Sequence, residues 1–186
     1  MSTREQIIQL ADQLIRDKGF NAFSFYHLSE KLKITNASIH YHFPTKTDLG
    51  LSVLENQRQS LRDLIAATAL QTPQEKLNAF LNIYTHIRAE GRVCIVGSLA
   101  TDLNAVDPKI GESLKTLAQE ILTWVTAILE EGKVKKVFAF VGLARTRALL
   151  IITNMLAALQ VARLTDENDF SLIKRALYKE LQLNKS

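Results

Sequence analysis

The stretch that decides the fold runs from Thr35 to Lys46 and reads TNASIHYHFPTK. Thr35 can cap a helix, because its hydroxyl accepts hydrogen bonds from the free N–H groups of the first turn. Pro44 ends that helix after about two turns. Ile39 and Phe43 lie four residues apart, so both can be buried on one side. The other faces carry an amide, a hydroxyl, a phenol and two imidazoles. The stretch therefore predicts a short helix with a polar outer face.

The residues before this stretch predict two further helices. Apolar residues recur at helical spacing over residues 4–18, and Gly19 suits the left-handed position that ends a helix. Ser24 can cap a second short helix over about 25–32. Two helices joined by a turn of about three residues form a helix-turn-helix, whose second helix enters the major groove of DNA. A polar surface helix without a partner is the alternative interpretation.

The remaining sequence predicts an all-α protein, because breakers are few and strand-like runs are absent. Residues 93–105 are rich in small side chains, which allows close helix packing or a cavity wall. Gly132 to Lys136 reads as a basic connector. Further helices are expected over about 45–70, 73–89, 108–130, 138–163 and 170–183.

The last two predicted helices favour a dimer. The helix over 138–163 is apolar around most of its circumference, which indicates burial from several sides. Such a helix near the end of a chain of 186 residues suggests a four-helix bundle shared by two copies. The expected interface residues are Leu149, Ile152, Met155, Leu156, Leu159, Arg163, Leu172, Ile173 and Leu177.

Composition places the protein among ordinary globular proteins. Hydrophobic residues make up 47% and charged residues 23% of the chain, which argues against disorder. The single cysteine, Cys94, excludes an internal disulfide and fits a reducing compartment. The N-terminus lacks a signal-peptide pattern, and the apolar run over 148–162 is too interrupted to span a bilayer. We therefore expect a cytoplasmic protein without membrane contact.

Net charge is weak evidence about the partner. The formal charge is +4, but residues 1–50 carry only +1, while residues 131–163 carry +5. The end with the helix-turn-helix pattern is thus barely basic. Individual side chains, rather than bulk charge, have to support an interaction with nucleic acid.

Catalytic and metal-binding patterns are absent from the sequence. No cluster of His, Cys, Asp or Glu has metal-ligand spacing, and Ser98 has no plausible His partner. We expect neither an enzyme nor a cofactor. His27 is expected to face solvent without a role. Cys94 is either a thiol sensor with a pKa lowered by Arg92 or an inert buried cysteine.

The first fifty residues resemble the TetR family of bacterial transcriptional regulators. The strongest part of the likeness is Ser38 to Lys46, followed by Asp48-Leu49. Supporting residues are Arg4, Ile7, Ile8, Ala11, Leu14, Gly19, Phe20, Ser24, Phe25, Leu28, Ile34 and Thr35. The likeness covers about a quarter of the chain. The remainder resembles the family only in its helical architecture.

The resemblance implies roles for individual residues. Ser24, Thr35 and Lys46 would hold phosphates, while Asn36, Ala37 and Ser38 would approach base edges. His40, Tyr41 and His42 would face the DNA backbone or the groove edge. Three positions depart from the family pattern. Lys33 and Ala37 stand where glycine is usual, and His40 stands where tyrosine is usual.

The resemblance also implies an effector site and an architecture. Pocket-lining candidates are Phe80, Tyr84, His86, Cys94, Ser98 and Trp124, although core packing explains the aromatic residues equally well. We expect residues 1–46 to form a three-helix, helix-turn-helix head. Residues 47–186 would form a helical bundle for ligand binding and dimerisation. The expected function is a homodimeric repressor, released from a palindromic double-stranded DNA operator by a small-molecule effector. The alternative is a helical ligand-binding or scaffolding protein whose head no longer binds specific DNA.

Overall fold

The computed structural model describes residues 1–166 and 168–181, and it is helical throughout these ranges. The expectation of an all-α protein is therefore confirmed. A short 3-10 turn, Phe20–Ala22, follows the first helix. The α-helices of the described ranges are α1 (Thr3–Lys18), α2 (Phe25–Leu32), α3 (Asn36–His42), α4 (Lys46–Ala67), α5 (Pro73–Ala89), α6 (Ile95–Thr101), α7 (Pro108–Val134), α8 (Ala144–Val161) and α9 (Asp169–Lys179).

Local capping explains several of the helix starts. The Thr72 hydroxyl accepts the Glu75 N–H at 3.3 Å, and the Glu75 carboxylate accepts the Thr72 N–H at 2.8 Å. Pro73 occupies the first helical position, where its missing N–H costs nothing. This reciprocal capping box satisfies two otherwise free N–H groups. It explains why α5 begins at Pro73, as the sequence predicts.

The described residues form two compact units. The first comprises Met1–Ser60 and Arg92–Ala118, and the second comprises Leu61–Gly91 and Gln119–Ser186. The first unit thus combines the helix-turn-helix segment with the start of α4, with α6 and with the start of α7. A functional division into residues 1–46 and 47–186 stays a prediction.

The first unit is organised around α1. A buried polar network joins α1 to α4 and to the segment before α6. The Arg16 guanidinium is paired with Asp12 at 2.8 Å, and it donates to Gln57 at 3.1 Å and to the carbonyl of Val93 at 3.3 Å. A buried cation needs such partners, so this network favours one arrangement of the three segments. Fully buried apolar side chains here are Ile7, Ala11, Ile15, Leu28, Ile39, Leu49, Val53, Leu54 and Ile110.

The second unit is built on the α8–α9 pair. One face of α8 is buried through Ala148, Ile151, Met155, Ala158 and Leu159. Other buried side chains of this unit include Leu77, Phe80, Leu81, Val125, Leu129, Phe170 and Leu181. Because α8 is buried on one side only within the chain, several of its apolar residues remain exposed.

The connection between α7 and α8 differs from the prediction. Helix α7 continues past Glu130 to Val134, so the expected connector at 132–136 is partly helical. It ends in a Schellman motif, with Lys136 at a φ of 55°. The N–H of Val137 donates to Gly132 O at 2.8 Å, and that of Lys136 donates to Lys133 O at 3.1 Å.

Helix α8 begins later than the predicted start at Phe138. The Phe138 ring packs so closely on Gly132 that a Cβ there would lie 2.0 Å from it. The N–H of Ala139 donates to Leu181 O at 2.9 Å, so this segment bonds across the unit rather than within a helix. Gly142 then adopts a φ of 89°, and α8 follows it. The predicted helix over 138–163 was therefore too long at its start.

Two other helix ends differ slightly. Helix α4 ends at Ala67, short of the predicted Leu70. Just after this end, the Thr68 hydroxyl donates to Leu64 O at 2.8 Å. The predicted end of the last helix, Leu183, lies outside the described residues.

Candidate nucleic-acid interface

The turn between α2 and α3 is a Schellman motif. The N–H of Ile34 donates to Ser29 O at 3.1 Å, and the N–H of Lys33 donates to Glu30 O at 3.3 Å. Lys33 therefore adopts a left-handed conformation, with φ 56° and ψ 40°. A non-glycine residue pays a steric penalty there, which is the strain expected if this turn position is left-handed. The turn fixes the direction in which α3 leaves α2.

Two buried apolar residues anchor helix α3 to the rest of the first unit. Ile39 is 0% exposed and Phe43 is 1% exposed. Thr35 caps the helix by accepting the Ser38 N–H at 3.1 Å, and the Phe43 N–H closes its last turn on Ile39 O at 2.8 Å. Because both anchors lie on one side, the opposite surface of this short helix faces outward.

The outward surface of α3 carries the residues predicted to contact DNA. Tyr41 is 85% exposed. The His40 ring lies edge-on to the Phe25 ring, with 4.8 Å between the ring centroids. The Nδ1 atom of His40 is 3.3 Å from Pro44 O. The exposed members of the predicted set are Asn36, Ala37, His40 and Tyr41, and the half-buried members are Ser38 and His42.

Two helix N-termini lie beside this surface. Ser24 caps α2 and Thr35 caps α3, and both side chains are exposed. A helix N-terminus carries partial positive charge and free N–H groups, so it is suited to a phosphate. His27 completes a capping box that sequence reasoning missed. Its Nδ1 atom accepts the Ser24 N–H at 3.0 Å and lies 3.1 Å from Ser24 Oγ. The signal was the Ser-x-x-His spacing, which is the capping-box spacing with an imidazole in place of a carboxylate or amide.

Lys46 is placed differently from the other predicted contacts. Its ammonium donates to the carbonyl of Phe23 and lies 4.8 Å from the ring centroid of Phe20 and 4.4 Å from that of Phe23. Burial lowers the pKa of Lys46, while the Asp102 carboxylate acts in the opposite direction. The ammonium therefore has intramolecular partners, in contrast to the exposed side chains of α3.

Comparison with known proteins agrees with this geometry. Residues 7–53 match the sequence model of the family described as bacterial regulatory proteins, tetR family. A TetR-family transcriptional regulator from Agrobacterium tumefaciens is 28% identical, with a TM-score of 0.90 over 97% of each chain. A TetR transcriptional regulator from Legionella pneumophila is 27% identical, with a TM-score of 0.87 over 98% of each chain.

Residues 7–53 thus match the TetR family, and over nearly its whole length the chain is similar to TetR-family regulators. It is also 22% identical to an uncharacterized HTH-type transcriptional regulator in the lacX 3'region of Lactococcus lactis subsp. lactis, over 96% of this chain and 94% of that protein. The protein is therefore a DNA-binding transcriptional regulator, and the α2–α3 segment is its helix-turn-helix.

Three of the predicted pocket residues lie together. The centroid of the Phe80 ring is 5.5 Å from that of Tyr84 and 6.1 Å from that of Trp124, and both ring pairs are edge-to-face. All three side chains are buried in the second unit. His86 lies on the same helix as Phe80 but is exposed. The aromatic cluster is thus the part of the predicted pocket that the fold brings together.

The other two predicted pocket residues belong to the first unit. Ser98 Oγ donates to Ile15 O at 2.6 Å. Burial raises the pKa of the Cys94 thiol, against smaller opposing effects of the Val96 and Gly97 N–H groups. A raised pKa disfavours the reactive thiolate, which supports the interpretation of Cys94 as an inert cysteine.

The predicted dimer residues divide by burial. Met155, Leu159 and Leu177 are buried within the chain. Ile152, Leu156 and Ile173 are half-buried, while Leu149, Arg163 and Leu172 are exposed. Three further apolar side chains on the same part of the chain, outside the predicted interface set, are also exposed, namely Leu150, Val161 and Leu164.

Two negative findings concern the described residues. Over 1–166 and 168–181, no helix is long and apolar enough to cross a membrane. Within the same ranges, no three His, Cys, Asp or Glu side chains are grouped so that they could hold a metal ion.

Proposed function

We propose that the protein is a homodimeric repressor that binds a near-palindromic operator and leaves it when a small molecule binds. The observation that carries the proposal is the outward surface of α3, which is anchored from behind by Ile39 and Phe43. A short helix fixed in this way can enter the major groove without losing its own support. As a DNA-binding regulator, the protein would act in the cytoplasm.

The DNA contacts divide into base-reading and backbone-positioning groups. Asn36, Ala37 and Ser38 form the front of α3, and the Asn36 amide is suited to a bidentate contact with adenine. His40, Tyr41 and His42 would lie along the groove edge or the backbone. Ser24 and Thr35 would each present a helix N-terminus to a phosphate.

The dimer would form through α8 and α9. Leu143, Leu150, Ala157 and Leu164 recur every seven residues from the N-cap of α8 to the turn after it, and all four are exposed, a spacing typical of a helix that packs against a partner helix. A groove of about 300 Å³ lies beside this row, lined by Leu150, Asn154, Ile173, Ala176, Leu177 and Glu180. A second copy would bury the row and fill the groove in a four-helix bundle. Two heads would then read half-sites about one helical turn apart or slightly more.

The effector would bind beside the Phe80, Tyr84 and Trp124 cluster. Aromatic side chains provide apolar contact area for a ligand, and the Phe80 ring is in edge-to-face contact with both other rings. The effector releases DNA only if it binds the DNA-incompetent state more tightly than the competent one. An apolar or aromatic small molecule is the class that this cluster fits best.

A mobility-shift experiment tests the proposal. The protein is titrated against DNA flanking its own gene and against a random duplex of equal length, at two salt concentrations. We expect tighter binding to the flanking DNA at both, with affinity falling steeply as salt rises. Absence of any shift at low salt would favour the alternative, a helical ligand-binding or scaffolding protein.

A further inference from the structure

The 3-10 turn between α1 and α2 is held from several directions within the first unit. The Phe20 side chain is 5% exposed. The Phe20 ring packs against Gly50 of α4 so closely that a Cβ on Gly50 would lie 2.8 Å from it. The same Cβ would lie 3.0 Å from the Ile110 side chain of α7. The ring is therefore enclosed, and the backbone next to it has little freedom.

Hydrogen bonds also attach the same turn to the segment that follows α6. The Asp102 carboxylate accepts the Phe20 N–H at 3.0 Å. The Asn21 side chain donates to Ala105 O at 3.3 Å. Asp102 thus satisfies an N–H group that no helix uses, and it attaches the turn to the end of α6.

The start of α4 holds the other end of the turn. The Lys46 ammonium donates to Phe23 O, and it lies over the rings of both Phe20 and Phe23. Phe23 immediately precedes Ser24, the cap of α2. Reaching a phosphate would require Lys46 to break the carbonyl hydrogen bond and both ring contacts together.

We propose that Lys46 and Asp102 are positioning residues for DNA binding, which clamp the Phe20–Phe23 segment and thereby fix the phosphate-facing start of α2. The proposal rests on the proposed DNA binding, and it replaces the expectation that Lys46 itself holds a phosphate. Lys46 acts through Phe23 and Ser24, and Asp102 acts through Phe20. Burial of the ammonium, which lowers the pKa of Lys46, agrees with an internal role.

The salt dependence of DNA affinity distinguishes a clamp from a phosphate ligand. A residue that neutralises one phosphate contributes about 0.9 to the slope of log K against log salt. We expect Lys46→Met to weaken binding to a random duplex at least about fivefold without changing the slope. Lys18→Met, which removes an exposed cation from the last turn of α1, is the matched control and should change neither quantity. A slope reduced by about 0.9, or an affinity equal to that of the control, would overturn the role of Lys46.

Two variants test Asp102. Asp102→Asn replaces one carboxylate oxygen by an amino group, and Asp102→Ala removes the carboxylate altogether. Asp102→Asn keeps an oxygen that can accept the Phe20 N–H, and its affinity should stay within about twofold of the wild type. Asp102→Ala leaves that N–H unpaired and should lose affinity to about the same extent as Lys46→Met. Equal affinities of the two variants would overturn the role of Asp102. Thermal melting of each variant shows whether the measured fraction is folded.

Acetylation of the wild-type protein decides the matter if Lys46→Met fails to fold. Limiting acetic anhydride is added with and without the random duplex, and each lysine is followed by peptide mass spectrometry. We expect Lys46 to react about tenfold more slowly than Lys18 in both samples, because the restricted access to an amine held against two rings and a carbonyl outweighs the larger neutral fraction that its lowered pKa gives. Reaction of Lys46 at the rate of Lys18 in the free protein would overturn the proposal. If the wild type binds no DNA, the proposed function fails, but the free-protein sample still tests the clamp.

Discussion

Replacing Lys33 by glycine tests the geometry of the helix-turn-helix turn directly. Lys33 adopts a φ of 56°, and its side chain is exposed, so the substitution removes few contacts. A left-handed conformation costs a residue with a Cβ about 1–2 kcal/mol, and glycine avoids this cost. Glycine also gains entropy in the unfolded chain, which offsets about 0.5–1 kcal/mol. We therefore expect Lys33→Gly to raise the free energy of unfolding by about 0.5–1 kcal/mol.

Thermal and urea denaturation measure this change. For a chain of this size, the expected gain corresponds to a rise in Tm of about 2 °C. Lys33→Ala keeps the Cβ and should leave the stability close to that of the wild type. Lys31→Gly, in the last turn of α2, should instead lose about 1 kcal/mol because it lies within the helix. If Lys33→Gly destabilises the protein as much as Lys31→Gly does, the turn is not left-handed at this position, and the Schellman motif is refuted.

Four other changes have defined outcomes. Gly50→Ala should lower stability by about 1–2 kcal/mol in urea denaturation, because the clash with Phe20 exceeds the gain in helix propensity. Tyr178→Phe should raise Tm, because the Tyr178 hydroxyl is buried without a hydrogen-bond partner among the described residues. Burial raises the pKa of Tyr178 to about 12, so the unfolded chain ionises first. The wild type should therefore lose stability as pH rises from about 10 towards 12, and the phenylalanine variant should lose less. Asn36→Ala should reduce the preference for the operator over random DNA by about 1–3 kcal/mol in competition titrations, whereas equal losses on both DNAs would exclude base reading. Leu150→Glu should yield monomers in sedimentation, and a surviving dimer would place the interface elsewhere.

Local signals accounted for the elements that the sequence predicted well. Thr72, Pro73 and Glu75 form a complete helix start within four residues, and the observed α5 has the predicted bounds. The spacing of Ser24, Lys33 and Thr35 likewise determined α2, the turn and α3. Each of these features depends on hydrogen bonds between groups only a few residues apart in the chain.

Long-range packing explains what the sequence did not predict. Phe138 lies in an apolar run that periodicity alone assigns to a helix, but its ring is buried on Gly132 and its neighbour Ala139 bonds to Leu181. The direction of the Lys46 side chain depends on Phe20 and Phe23, which lie more than twenty positions earlier in the chain. Contacts of this kind depend on tertiary structure, so no local sequence pattern predicts them.

Protection of guanine N7 atoms from dimethyl sulfate tests the central claim most directly, because N7 is exposed only in the major groove. The measurement uses DNA flanking the protein's own gene, with and without the protein. If α3 of each protomer reads the major groove, protected guanines should form two symmetric clusters about one helical turn apart or slightly more. Asn36→Ala should weaken both clusters equally. Bound DNA whose guanines remain fully reactive would contradict the account, because the protein would then hold the duplex without placing α3 in the major groove.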